Sequence, residues 1–204
     1  ELIEDTREAV GDTMAVVVRM AVDELMGPDG LEWHNEGREA IEMLAELPDL
    51  WDVTIGNWAN DSQTSRFAPE GFQEDYVAFV KKVTSKPVAV VGRYTSPDAM
   101  VSAIRRGVTD LIGAARPSIA DPFLPRKIEE GRTDDIRECI GCNICAAWNN
   151  LSAPSRCTQN PTFGEEWRKS WHPERMAPVS APSHVLIVGA GPAGLEAART
   201  AGLA

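Results

Sequence analysis

Four short runs of β-branched and other apolar residues, separated by stretches with helical spacing, limit this chain's folding choices most. Residues 13–20 (TMAVVVRM), 51–55 (WDVTI), 87–91 (PVAVV) and 110–112 with their neighbours read as strands. Residues 36–47 carry Ile41, Leu44 and Ala45 at helical spacing. Residues 76–83 and 99–106 read as further helices, and residues 1–10 as the end of another. The strands are apolar throughout instead of alternating, which is the pattern of a parallel sheet covered by helices, so the class is α/β. Two closures satisfy it, a doubly wound sheet and a TIM (β/α)8 barrel. Four βα units supply half a barrel, so the barrel reading requires an upstream half.

After residue 114 the pattern changes. The chain's four cysteines, Cys139, Cys142, Cys145 and Cys157, all fall in one segment with the spacing C-x2-C-x2-C-x11-C. Disulfides would suit a secreted protein, and nothing here points to secretion. Zinc would more naturally show two C-x2-C pairs. Three cysteines at x2 spacing plus a distant fourth suit a cuboidal 4Fe–4S cluster, whose three near corners a tight loop can wrap. Gly141 eases the backbone close to such a cluster. A cluster of this kind passes one electron at a time, so hydride or amine chemistry needs a two-electron partner. Flavin is the usual converter.

The loops after the third and fourth strands offer a flavin phosphate site. The third strand ends in Val91–Gly92–Arg93, and the fourth is followed by GAARP, residues 113–117. In a barrel these are the loops after strands 7 and 8, where backbone N–H groups and a short helix hold phosphates. Gly92 would let the backbone approach, Arg93 and Arg116 would supply charge, and residues 118–120 would start the short helix. The plainer alternative is that these Gly and Arg residues only turn the chain. Arg19 lies inside an otherwise apolar strand, where a charge needs a partner. The partner is either the N1/C2=O edge of a flavin or Asp23 or Glu24 at the strand's solvent end.

Residues 184–195 read HVLIVGAGPAGL, an apolar strand running into Gly189-x-Gly191-x-x-Gly194 and a helix. This is the context that the dinucleotide fingerprint requires. Gly189 makes the turn, Gly191 admits the pyrophosphate and Gly194 packs helix to strand. The ligand, whether FAD, NAD(P)H or ADP alone, is not specified by the glycines.

Composition narrows the partners. The chain has 204 residues and a formal net charge of −11, which makes a poor match for a phosphate backbone, so no nucleic-acid partner is expected. No apolar run approaches the ~20 residues of a membrane helix, and no signal peptide is visible. No membrane partner and a cytoplasmic location are the expectation. There is no initiator Met, and both ends fall inside predicted helices. The expectation is a piece of a longer protein.

The string ECIGCNICAAW…RCTQNPTFGEEWRKSWHPER, followed by VLIVGAGPAGLEAAR, resembles the trimethylamine and dimethylamine dehydrogenases, which belong to the old yellow enzyme-like flavoproteins carrying an iron–sulfur cluster. GRYTSPDAM and ARPSIADPFLP resemble the same proteins, and the likeness covers essentially the whole chain. It implies that residues 1–131 are the C-terminal half of an FMN-binding barrel, residues 132–180 the 4Fe–4S segment and connector, and residues 181–204 the start of a Rossmann-like dinucleotide domain. It also implies that Arg19 contacts the flavin ring, that Gly92, Arg93, Ala115 and Arg116 hold the FMN phosphate, and that Asp61 belongs to a catalytic Tyr–His–Asp group. Trp58 and Trp148 would form part of an aromatic bowl for a cationic amine, the alternative being packing or surface residues. Trp148 lies one residue closer to Cys145 than in that family, and the loop bearing Trp58 is shorter. His34, Trp167, His172 and Trp171 are expected to do no chemistry.

The related enoate and 2,4-dienoyl-CoA reductases typically open with C-x2-C-x3-C and carry a catalytic His after strand 6, where this chain has GNWANDSQTSRF. Both differences favour amine oxidation. The implied activity is FMN- and 4Fe–4S-dependent oxidation of a small amine, with electrons passed to an electron-transfer flavoprotein and a homodimeric parent. The alternatives are an NAD(P)H-dependent enoate or dienoyl-CoA reductase and a non-catalytic electron-transfer module.

Overall fold

The computed structural model describes residues 1–57, 66–168, 172, 174–181 and 183–204, with Asn149 and Asn150 as backbone alone. Helix α1 (Leu2–Val10) leads through a 3₁₀ turn at Gly11–Thr13 into β1 (Val17–Asp23). Then follow α2 (Glu36–Leu44), β2 (Leu50–Ile55), α3 (Glu74–Val77), α4 (Val80–Val83), β3 (Val88–Val90), α5 (Pro97–Arg105) and β4 (Leu111–Ile112). Beyond the sheet come α6 (Ala115–Ala120), α7 (Leu124–Glu129), α8 (Ile144–Asn150) and α9 (Pro192–Leu203). The four strands form one parallel sheet in sequence order. That arrangement is half of a (β/α)8 barrel.

The expected strand at 13–20 begins and ends later than its sequence signal, because a 3₁₀ turn occupies residues 11–13. The single helix expected at 76–83 is two short pieces, α3 and α4. Ala78 (φ −61°, ψ −19°) and Phe79 (φ −69°, ψ −30°) between them stay in the right-handed helical region near 3₁₀ values. The hydrogen-bond ladder loosens there without the chain turning away.

The core lies on one face of the sheet. Trp51, Val53 and Ile55 of β2 are buried, and Val22, Val88 and Val90 join them beneath Ile41, Val77, Val80 and Ala103 of the helices. The Trp51 indole N–H donates to Ala45 O at 2.9 Å, and Thr84 Oγ1 donates to the same oxygen at 2.7 Å. These bonds satisfy the polar edge of the largest buried ring.

The opposite face is where the structure departs from uniformly apolar strands. Register aligns Arg19, Asp52, Ala89 and Leu111 in one row across all four strands. Arg19 Nη1 and Asp52 Oδ2 pair at 2.6 Å on that face. The partner of Arg19 is therefore its cross-strand neighbour, and neither Asp23 nor Glu24. In a closed barrel this row faces the lumen.

A second anchor lies beyond the sheet. Lys127 of α7 is 2% exposed and Asp121 is 1% exposed, with Nζ to Oδ2 at 2.7 Å. Lys127 also donates to Asp135 O at 2.8 Å and pairs with Glu174 of the connector. Asp121 accepts the N–H groups of Phe123 at 2.9 Å and Arg137 at 3.0 Å. Burial pushes the Asp121 carboxyl up, but the Lys127 ammonium and the two N–H groups outweigh it, so its pKa lies below the usual aspartate value. A carboxylate with a depressed folded-state pKa stabilises above its unfolded pKa, and that contribution is lost as pH falls through the folded value. Asp121→Asn is expected to cost about 3 kcal/mol at pH 7 in urea unfolding, because Lys127 loses its buried partner. The difference between wild type and variant should shrink as pH falls below the unfolded-state aspartate value of about 3.9 and on through the lower folded-state value.

Candidate functional site: the barrel mouth and the cysteine loop

The C-terminal ends of β3 and β4 form the mouth of the half-barrel. The loop leaving β3 is held on several sides. Glu70 accepts hydrogen bonds from Thr95 N–H, from Ser96 N–H at 2.7 Å and from Ser96 Oγ at 2.9 Å. Ser96 Oγ in turn caps α5 by accepting Ala99 N–H at 3.3 Å. Tyr94, buried beneath the loop, donates its hydroxyl to Glu74 at 2.9 Å. Arg106 grips the same carboxylate with two bonds of 2.7 and 2.9 Å, holding its pKa below the usual glutamate value. Burial and the adjacent Glu74 push the Tyr94 phenol well above its ordinary pKa. Gly71 N–H donates to Gly92 O at 2.8 Å. Arg93 follows in the left-handed region, φ 59°.

Both arginines expected at a phosphate lie against the cysteine loop. Arg93 Nη1 donates to Ala68 O, and its stem passes under Gly141. A Cβ on Gly141 would stand 2.5 Å from Arg93 Nε, and Gly141 has φ 70°, so this position favours glycine on both counts. Gly141 O accepts Phe67 N–H at 3.1 Å. Arg116, at the start of α6, donates to the Oδ1 of Asn143, which is buried and also left-handed at φ 58°. Farther on, Asn160 Nδ2 donates to Ile119 O of α6 at 2.9 Å, and Asn160 Oδ1 accepts from the N–H and Oγ1 of Thr162. The segment that bears the cysteines is thereby fixed to the barrel at three points.

The four cysteines are free thiols, each partly buried. Cys139 Sγ accepts Gly141 N–H and Cys157 Sγ accepts Gln159 N–H, both at 3.4 Å. Cys142 Sγ lies 3.4 Å from Thr158 Oγ1, one residue after Cys157. Burial pushes the Cys145 thiol up, the charges of Cys157 and Cys139 add to this, and Ala146 N–H and Arg116 oppose it. Cys145 senses the charges of Cys139 and Cys157, Cys142 lies against the residue after Cys157, and backbone N–H donors aim at the sulfurs of Cys139 and Cys157. Such a donor set fits an iron–sulfur cluster, whose charge N–H···S bonds offset. Among the described residues no group of three or more His, Cys, Asp or Glu is close enough together to hold one metal ion. A cuboidal cluster asks for a different arrangement, in which each thiolate meets its own iron.

The glycine fingerprint is half formed. Gly189 has φ 110° and makes the turn, and Gly191 stands at the N-cap of α9. A Cβ on Gly194 would lie 2.0 Å from Gly189 O, while one on Gly191 meets nothing within 4 Å. Tight packing at Gly194 and open space at Gly191 are the roles expected of them. The expected strand at 184–188 carries no ladder, and Val185, Leu186 and Val188 are exposed. A strand is completed by a neighbour, and the described residues provide none for it.

Other expectations divide. Ala115 opens α6 beside Arg116. Trp148 lies on α8 and is 40% exposed. Asp61, Trp58 and Trp171 lie outside the described residues. His172 stacks on Phe123 and accepts the N–H groups of Glu174 and Arg175 through Nδ1. His34 packs edge-on to Trp33, and Trp167 receives the Arg168 guanidinium over its ring. These are packing arrangements. Sequence reasoning missed Asn143 and Asn160 as anchors. Asn143 sits within the C-x2-C repeat, where a residue tolerant of left-handed backbone was a readable signal. No described helix is long and apolar enough to cross a membrane.

The chain has relatives among known proteins. The chain is 51% identical over 203 residues to dimethylamine dehydrogenase of Hyphomicrobium sp. (strain x), a match covering 98% of this chain and 28% of that protein. Among solved structures it is similar to histamine dehydrogenase from Rhizobium sp. 4-9, at 58% identity and TM-score 0.90, covering 99% of this chain and 29% of that one. It is also similar to 6-hydroxypseudooxynicotine amine oxidase from Pseudomonas geniculata N1, at 60% identity and TM-score 0.82, covering 87% of this chain and 26% of that one. The chain spans less than a third of the length of each of these proteins. Residues 1–135 match the NADH:flavin oxidoreductase / NADH oxidase family, and the chain belongs to it.

Proposed function

We propose that this chain belongs to an FMN- and 4Fe–4S-dependent oxidoreductase that oxidises a small amine and delivers the electrons to an electron-transfer flavoprotein. The observation that carries this reading is the docking of the cysteine loop on the phosphate-side loops of the half-barrel, through Arg93 against Gly141 and Arg116 to Asn143. Two redox sites built on adjoining loops can exchange electrons. The named relatives, a dimethylamine dehydrogenase, a histamine dehydrogenase and an amine oxidase, support an amine as substrate. In this reading residues 1–131, 132–180 and 181–204 are the half-barrel, the cluster segment with its connector, and the opening of a dinucleotide domain for FAD or ADP.

When bound, FMN supplies two-electron oxidation of the amine, and the cluster supplies single-electron outflow. The chain's residues do the rest. Gly92, Arg93, Ala115 and Arg116 frame the FMN phosphate at the ends of β3 and β4. Arg19, held in the lumen row by Asp52, presents its guanidinium to the flavin ring. Cys139, Cys142, Cys145 and Cys157 hold the cluster, with Gly141 and Gln159 N–H groups steadying two of the sulfurs. Trp148 lines the approach to the site.

Anaerobic titration of the holoprotein tests the proposal. Dimethylamine or histamine is expected to bleach the flavin absorbance within seconds, while NADH does not. Bleaching by NADH with no response to any amine would favour the reductase reading. Gly141→Ala should weaken the cysteine loop by about 1–2 kcal/mol for the left-handed backbone alone. Iron retained after gel filtration would fall measurably below wild type.

A further inference from the structure

The guanidinium groups of Arg93 and Arg116 come from successive βα loops, and both meet the short stretch between Cys139 and Cys145. Arg93 Nε is buried, has no hydrogen-bond partner, and faces Gly141, the residue before Cys142. Among the described residues no carboxylate forms an ion pair with Arg93. Arg116 grips Asn143, the residue after Cys142, through its side-chain oxygen. A cation held in a half-buried place without an anion costs free energy. An FMN phosphate would meet part of that charge but would not explain why two guanidinium groups meet the cysteine loop, at residues in left-handed backbone that glycine and asparagine adopt most readily.

We propose that Arg93 and Arg116 are positioning residues for the iron–sulfur cluster, whose positive charges raise its reduction potential so that it accepts an electron from the reduced flavin. The inference rests on the cluster reading above. The step is a one-electron transfer: the flavin is oxidised, the cluster is reduced, and the cluster's net charge becomes more negative by one. A fixed cation nearby stabilises the more negative state and so favours the transfer. Asn143 and Gly141 are the structural complement, since they let the loop come down onto the two guanidinium groups.

The test is a redox titration of the holoprotein followed by electron paramagnetic resonance, with dithionite as reductant, on wild type and on Arg93→Gln, Arg116→Gln, Arg93→Lys and Arg116→Lys. Each glutamine variant that retains its cluster should show the reduced-to-oxidised ratio at fixed potential falling about tenfold, a shift of about 59 mV for one electron. Each lysine variant should stay within about threefold of wild type. Unchanged cluster potentials in loaded glutamine variants, with FMN retention alone reduced, would overturn the proposal and leave the arginines as phosphate ligands only. Cluster loss in both glutamine variants but neither lysine variant supports it, because lysine keeps the charge. Cluster loss in all four overturns it in favour of a packing role. Iron analysis of the wild type separates this outcome from failure of the underlying reading: a wild type without iron refutes the cluster itself.

Discussion

The contact of Arg93 with Gly141, and its companion between Arg116 and Asn143, joins two parts of the chain built in different ways. One is a regular parallel sheet whose strands pack by apolar burial. The other is an irregular cysteine segment with one short helix and little core of its own. A segment like that cannot stabilise itself by burial. Its position is set by the close approach of Gly141 to the Arg93 stem and by specific polar bonds to the barrel: Arg116 to Asn143, the Phe67 N–H to Gly141 O, and Asn160 to Ile119 O. The left-handed backbone at Gly141 and Asn143 is the local condition that permits these bonds.

The barrel side is braced to receive the loop. Glu70, Glu74, Tyr94 and Arg106 hold the β3–α5 connection from beneath, so that Arg93 projects from a fixed base. The Lys127–Asp121 pair does the same for the far side. It ties α7 to the residues just before Cys139 through Arg137 N–H, and to the connector through Glu174. Two barrel-side features thus converge on the cysteine segment, an arrangement suited to the fixed spacing that the proposed pair of redox groups would need.

Much of this was legible in the sequence, and the limits have physical causes. The four strands announced themselves because β-branched runs bounded by turns have few alternatives. The cysteine spacing and the glycine fingerprint are local, and a local pattern can be read without knowing the fold. Ladder formation at 184–188 was not legible, since pairing depends on residues elsewhere. The Arg19–Asp52 pair was missed because it exists only once register aligns two strands. The contacts of Arg93 and Arg116 with the cysteine loop were hidden for the same reason: the loop that settles against them is brought there by the fold.

In the proposed arrangement these four cysteines form one redox centre seated on the barrel mouth. Its most direct test is metal and acid-labile sulfide analysis of the anaerobically purified protein, alongside Cys145→Ser. The wild type should carry about four irons and four sulfides per chain, and the variant should lose them. One zinc per chain, or an iron content untouched by the substitution, would contradict it.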